Sequence, residues 1–187
     1  LGRAEAYEIM HGDRQFTVPT DGKPLRGLIQ DHICSGLLLS MRDSFFDRSE
    51  FTQLLYSALV DYCGDALGTI DIPAPAIFKP QVLWTGKQVL SSVLAHVTRG
   101  RPPMTFTAPC KISANFFGGD DSGEDMLIIR RNYLCTGVVD KNMFWQIRSR
   151  ARRRRAARSL NRWRVVVNLF ASVYKFFTKA RLHVWHG

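Results

Sequence analysis

The sequence of 187 residues predicts an α+β fold, with helices packed beside small mixed or antiparallel sheets. Apolar residues recur at helical spacing in three segments between residues 28 and 97. After residue 104 the apolar segments are shorter and rich in β-branched and aromatic residues, which favours strands. The length is enough for one domain with its own core, and no apolar run reaches the ~18 residues of a membrane helix.

The net charge of +10 is confined to the end of the chain. Residues 1–144 hold 14 Lys and Arg against 16 Asp and Glu, whereas residues 145–187 hold 12 basic residues and no acidic one. Binding to nucleic acid through net charge would therefore be a property of the tail. The four cysteines and five histidines are scattered, which indicates free thiols in an intracellular protein and neither a disulfide framework nor a metal site.

The first elements are predicted from turn residues and helical periodicity. Residues 3–11 have the pattern of the last part of a helix that starts before this sequence, and residues 16–18 are a strand candidate. A turn with Asp, Gly and Pro over residues 20–24 leads to a helix over residues 28–41. The sequence therefore begins with short elements around one buried helix.

The clearest helix by pattern starts at Asp47. Asp47 is a good N-cap, and Glu50 stands at the position that completes a capping box. Gly64 and Gly68 are expected to end this helix. Its apolar stripe consists of Phe51, Leu54, Leu55, Ala58, Leu59 and Tyr62.

An extended arm and a helix form the centre of the chain. Residues 73–80 contain three prolines, which exclude a helix and favour extended backbone. Thr85 is a predicted N-cap, and Gly86 and Lys87 open an amphipathic helix. A helix N-terminus with a lysine can hold a phosphate, but a buried amphipathic helix with a surface lysine explains the same residues. The motif is not a P-loop, because Gln88 stands where that motif has Ser or Thr.

The second half predicts strands and loops. Residues 104–117 alternate loosely and could form one or two strands, and residues 118–125 are predicted to be a solvated polar turn. The carboxylates of that turn do not have the spacing of a calcium loop. Residues 126–139 predict a hairpin around a polar turn at residues 130–132.

Several short motifs give the sequence a family resemblance. Residues 18–32 (Val-Pro-Thr-Asp-Gly-Lys-Pro-Leu-Arg-Gly-Leu-Ile-Gln-Asp-His), 83–88 (Leu-Trp-Thr-Gly-Lys-Gln), 126–129 and 136–141 (Thr-Gly-Val-Val-Asp-Lys) follow one another in a specific order. In this order and spacing, residues 3–144 resemble the largest subunit of multisubunit DNA-directed RNA polymerases. The version in polymerase I is more similar than those of polymerases II and III, on the evidence of Phe45, Phe46, Arg48, Gln53, Leu54 and Tyr56.

The resemblance implies a location within a nucleotidyltransferase. Residues 1–17 would end the active-site region, and residues 18–144 would be the pore domain, a wall of the channel that admits nucleotides and releases backtracked RNA. Because the catalytic aspartates lie outside this segment, the segment alone should be inactive and bind no cofactor, while the parent enzyme uses Mg²⁺. Lys87, Arg42 and Gln30 are the candidates for pore-lining residues, since a nucleotide channel benefits from positive potential.

The implied partners follow from the same resemblance. They are the remainder of the largest subunit, the other polymerase subunits, the DNA template and the RNA, with no membrane partner. The implied location is the nucleus and, within it, the nucleolus.

The tail departs from the family after residue 144. Residues 145–164 include nine arginines, and two interpretations are open: an arm that binds nucleic-acid phosphates, or a reading-frame error in the gene model. A shift of one nucleotide allows residues 148–152 to read Gly-Leu-Val-His-Ala, which is typical of the family, so we interpret residues 145–164 as a frameshift artefact. Residues 165–187 predict a short amphipathic helix, and the whole tail is expected to be helical or disordered. The alternative function is a small stand-alone nucleic-acid-binding protein that uses this arginine-rich tail.

Overall fold

The computed structural model describes residues 1–11, 30–60, 70–99, 102–117 and 123–140. These residues form an α+β fold, as predicted, and both of the sheets they contain are antiparallel. The strand candidate at residues 16–18, the turn at residues 20–24 and the tail lie outside the described residues. The elements are α1 (Gly2–Glu8), α2 (Asp31–Ser40), β1 (Phe45–Phe46), α3 (Arg48–Leu59), β2 (Trp84–Thr85), α4 (Gly86–Val97), β3 (Phe106–Pro109), a 3₁₀ helix (Ala114–Phe117), β4 (Met126–Arg130) and β5 (Tyr133–Thr136).

Both predicted N-caps are confirmed. The Asp47 N–H donates to Glu50 Oε2 at 3.0 Å in the capping box that opens α3. At α4, the Gln88 N–H donates to Thr85 Oγ1 at 3.3 Å, and the Thr85 N–H donates to Gln88 Oε1 at 2.9 Å. Each helix therefore starts where its own sequence satisfies the first free N–H groups. The glycines expected to end α3 lie outside the described residues.

Helix α4 lies at the centre of the packing and contacts α2, α3 and β5. It is buried on most of its circumference, since its neighbours cover it with helices on one side and the sheet on the other. Burial of these apolar side chains supplies the main stabilisation of the fold. The core side chains include Leu39, Phe51, Leu55, Leu59, Val89, Val93, Ile129 and Val139.

Two antiparallel sheets flank the helices. In the smaller one, Phe45 pairs with Thr85 and Phe46 with Trp84. The larger sheet has the order β3-β4-β5, and β3 alternates between buried and exposed residues as the sequence predicted for one of its strands. The hairpin between β4 and β5 is also confirmed, with a register shift between Ile128 and Ile129.

No helix in the described ranges has the length and apolar character needed to cross a membrane.

Candidate functional site

The extended arm is fastened to the start of α4. Trp84 Nε1 donates to the Pro73 carbonyl at 2.9 Å, and Gln88 Nε2 donates to the Ala74 carbonyl at 2.8 Å. Ile77 and Leu83 form an isolated antiparallel bridge farther along the arm. The prolines restrict the backbone dihedral angles of the arm, and the hydrogen bonds of Trp84 and Gln88 hold the arm against the helix start. The arm and the start of α4 therefore form one rigid unit.

Gly86 allows the start of α4 to touch the backbone at the end of α2. A Cβ atom at this position would lie 1.8 Å from the Leu39 carbonyl oxygen. The Gly86 N–H donates to the Ser44 carbonyl at 3.1 Å, just after α2. Only glycine fits this approach, because any side chain would overlap a backbone atom that cannot move away.

A buried carboxylate links α4 to the larger sheet. Lys87 Nζ lies 2.7 Å from Oε1 and 2.6 Å from Oε2 of Glu124, and the Gly137 N–H donates to Oε2 at 3.1 Å. The Glu124 side chain is 4% exposed and that of Lys87 is 13% exposed. Burial of both charges is tolerated because each lies against an opposite charge or a hydrogen-bond partner.

Arg42 brings a second cation to the same carboxylate. Its Nε lies 3.5 Å from Glu124 Oε1, and its side chain is 66% exposed. We call Arg42, Lys87, Glu124 and Gly137 the Glu124 cluster. Its three charged side chains carry one net positive charge, and Arg42 presents that charge to solvent.

The burial of Glu124 corrects one prediction from sequence. The sequence predicts residues 118–125 as a solvated polar turn, and this is wrong for Glu124, whose partners lie in α4 and after β5. Asp125 beside it is exposed, as predicted. The two neighbouring acids look alike in the sequence, and only the packed structure shows which of them meets Lys87 and the Gly137 N–H.

The structure brings together two of the three predicted pore-lining residues. Lys87 and Arg42 meet at Glu124, whereas Gln30 is exposed just before α2 with a backbone φ of 49°. Lys87 is mostly buried and is not the surface lysine that the sequence suggested. Whether any of the three lines a pore stays a prediction.

Two N–H groups in the first turn of α4 and the Lys87 ammonium have internal partners. The N–H groups of Gly86 and Gln88 donate to Ser44 and Thr85, and the Lys87 ammonium binds Glu124. A phosphate at this place would have to compete with a buried carboxylate for Lys87. The geometry therefore favours the interpretation of α4 as a buried amphipathic helix.

Two buried serines join helices to the sheet, and no sequence pattern marks either of them. Ser91 Oγ donates to the Lys87 carbonyl at 2.7 Å and accepts from the Leu134 N–H at 2.9 Å. Ser40 Oγ accepts from the Val139 N–H at 2.8 Å in the same way. A helical serine is commonly exposed, so only the packed structure shows that these hydroxyls satisfy buried N–H groups.

Among the residues that the structure describes, two titratable groups have pKa values shifted by their surroundings. Burial, helped by the charge of Arg99, lowers the pKa of His96, so its imidazole favours the neutral form. Burial also raises the pKa of the Cys110 thiol, which donates to the Val138 carbonyl at 3.5 Å. Within the described ranges, no three His, Cys, Asp or Glu side chains are grouped as a metal site would require.

The Glu124 cluster places charge on a rigid frame and pairs no nucleophile with a base.

Comparison with known proteins defines the class of protein. The model of the family RNA polymerase Rpb1, domain 3, matches residues 15–177, and the chain belongs to this family. The resemblance found in the sequence is thereby confirmed.

Several of the similar curated proteins are subunits of DNA-directed RNA polymerase I, and others are subunits of polymerase III. The chain is 37% identical over 182 residues to DNA-directed RNA polymerase I subunit 1 of Arabidopsis thaliana, covering 77% of this chain and 11% of that protein. It is 40% identical over 147 residues to subunit rpa1 of Dictyostelium discoideum (77% of this chain, 9% of that protein). For subunit RPA190 of Saccharomyces cerevisiae the identity is 38% over 145 residues (76% and 9%). The chain spans about a tenth of the length of these relatives.

The matched range of the family model includes residues 145–164. The frameshift interpretation of this segment, which lies outside the described residues, stays a prediction.

Proposed function

We propose that this chain is a section of the largest subunit of DNA-directed RNA polymerase I, a nucleotidyltransferase that transcribes DNA. In this proposal it forms a wall of the pore through which nucleotides enter and backtracked RNA leaves. The observation that carries the proposal is the match of residues 15–177 to Rpb1 domain 3, together with 37–40% identity to three polymerase I subunits.

The geometry supports a wall more than a catalytic centre. A channel wall has to keep its shape, and the arm, the start of α4 and the sheet are joined by hydrogen bonds and a buried ion pair. A nucleotide channel also benefits from positive potential, which the exposed guanidinium of Arg42 provides. Phosphoryl transfer depends chiefly on metal ions and positioning, so the catalytic Mg²⁺ and its aspartates would belong to the parent enzyme.

The proposed setting follows from the relatives. The partners would be the remainder of the largest subunit, the other polymerase subunits, the DNA template and the RNA. The location would be the nucleus, within it the nucleolus. The segment by itself should incorporate no nucleotide, and it should bind no cofactor.

Arg42 gives the sharpest test of the pore assignment, because its charge is exposed and its removal leaves the Lys87–Glu124 pair intact. In an assembled polymerase, we expect Arg42→Gln to raise the nucleotide concentration for half-maximal single-turnover incorporation about twofold at low salt. The effect should shrink at high salt because the charge is screened.

Arg48→Gln is the matched control, since Arg48 is an exposed arginine at the start of α3 outside the Glu124 cluster. Its nucleotide dependence should equal that of the unmodified enzyme. If Arg42→Gln and Arg48→Gln give the same nucleotide dependence, Arg42 does not line the nucleotide path.

A further inference from the structure

The tip of the β4–β5 hairpin presents two arginines and a tyrosine to solvent. Arg130 and Tyr133 are direct cross-strand partners, and both are exposed, Tyr133 to 61%. Arg131 is exposed in the turn between them. Residues 126–139 contain no acidic residue, and the described part of the chain places no carboxylate within 4.0 Å of either guanidinium. The tip is therefore a positive surface with one aromatic ring.

The tip is also fixed in place. The Arg131 N–H donates to Thr105 Oγ1 at 3.1 Å. Asn132 and Met104 exchange two bonds: the Asn132 N–H donates to the Met104 carbonyl at 2.9 Å, and the Met104 N–H donates to Asn132 Oδ1 at 2.7 Å. A surface that is already ordered loses little freedom when it binds a ligand, which favours affinity.

The requirements of the turn do not explain Arg131. Its φ is 48° and that of Asn132 is 73°, so both central residues are in the left-handed region. Such two-residue turns favour Asn, Asp and Gly, and Asn132 fits this preference. An arginine there is strained relative to glycine or asparagine. The presence of this arginine therefore suggests a function for its side chain other than forming the turn.

We propose that Arg130, Arg131 and Tyr133 bind a single-stranded RNA segment. The guanidinium groups would contact its phosphates, and the tyrosine ring would stack on an unpaired base. Cross-strand neighbours have Cβ atoms about 5 Å apart, so a ring and a cation can contact the same nucleotide. The strand is single because only unpaired bases offer their faces for stacking. The inference rests on the proposed function, which brings the 3′ end of backtracked RNA into the pore.

Cross-linking in the assembled polymerase tests this contact. The RNA carries 4-thiouridine in its last nucleotides, and the complex is stalled and backtracked before irradiation. We expect cross-linked peptides that contain residues 130–133. Tyr133→Ser should lower the yield about fivefold or more, whereas Tyr133→Phe, which keeps the ring, should retain it.

A second measurement separates the arginines from the tyrosine. With Arg130→Ser and Arg131→Ser together, the slope of the logarithm of the RNA binding constant against the logarithm of the salt concentration should become shallower by about 1.4. This is the value for two phosphate contacts on a single strand, at about 0.7 for each contact. Assembly with the other subunits, checked by the mass of the complex, shows that a variant has folded.

The outcomes distinguish the two proposals. Cross-links to other parts of this chain without any at residues 130–133 would overturn the RNA contact at the tip and support the pore assignment. Cross-links only to other parts of the polymerase would overturn both. An unchanged salt slope in the double arginine variant would also contradict the tip contact.

Discussion

Replacing Lys87 by methionine should loosen the joint between α4 and the larger sheet. The substitution removes the ammonium that lies 2.6 Å from Glu124 but keeps a long apolar stem. Glu124 then remains a buried carboxylate whose remaining partners include the Gly137 N–H and the mostly exposed Arg42. The free energy of opening should fall because the folded state holds a charge that water would solvate better.

The structure bounds the size of this effect. Breaking a buried ion pair by removing one partner costs about 3–5 kcal/mol. Glu124 keeps the Gly137 N–H at 3.1 Å and the Arg42 guanidinium at 3.5 Å, so we expect a smaller cost of about 2–3 kcal/mol. This corresponds to local opening that is about 30 to 150 times more frequent.

Hydrogen exchange in the assembled polymerase measures this opening. Amides of peptides from residues 126–139 should exchange faster by that factor in Lys87→Met. Peptides from α3 should change little, because local opening is confined to the unit that the ion pair holds. Lys111→Met is the matched control, because Lys111 is exposed and its removal should leave both peptides unchanged.

The paired variant decides whether the ion pair is the cause. Glu124→Gln added to Lys87→Met removes the buried charge and should recover at least about 1 kcal/mol of the loss. If exchange in Lys87→Met stays at the level of the unmodified protein, or if the second substitution recovers nothing, the pair does not hold the joint and the reasoning is wrong.

Three further predictions concern α4 and the larger sheet. Gly137→Ala should lower the free energy of unfolding, measured by thermal unfolding, by about 3 kcal/mol or more, because φ is 87° and the added Cβ would lie 2.5 Å from Leu127 Cα. Gly123→Ala, at φ 63° in open space, should lower it by only about 1 kcal/mol. Equal losses would refute the close approach. Ser91→Ala should lower stability by about 1–3 kcal/mol because the Leu134 N–H loses its acceptor. Ser57→Ala on the outer side of α3 should lower it by less than about 0.5 kcal/mol. Hydrogen exchange of the Leu134 amide measures both effects. Burial lowers the pKa of His96 in the folded state. The unfolded chain therefore binds the proton first as the pH falls below about 6.5, so stability should decline there. His96→Gln should flatten this part of the profile of stability against pH, and an unchanged profile would contradict the prediction.

Local chemistry in the sequence determined the main elements. The N-caps at Asp47 and Thr85 and the hairpin at residues 126–139 depend on residues only a few positions apart, so their patterns are visible without a fold. The order of short motifs likewise indicates the largest polymerase subunit, because each motif is read from adjacent residues.

The tertiary structure alone decided which polar groups join the helices to the larger sheet. Lys87 and Glu124 are 37 positions apart, Ser91 and Leu134 43, and Ser40 and Val139 99. No local pattern marks such partners, because a polar side chain is buried only when the packing of distant elements places a complementary group against it. For the same reason the sequence offered Lys87, Arg42 and Gln30 as equals, and the packing brought the first two to one buried carboxylate and left Gln30 exposed at the start of α2.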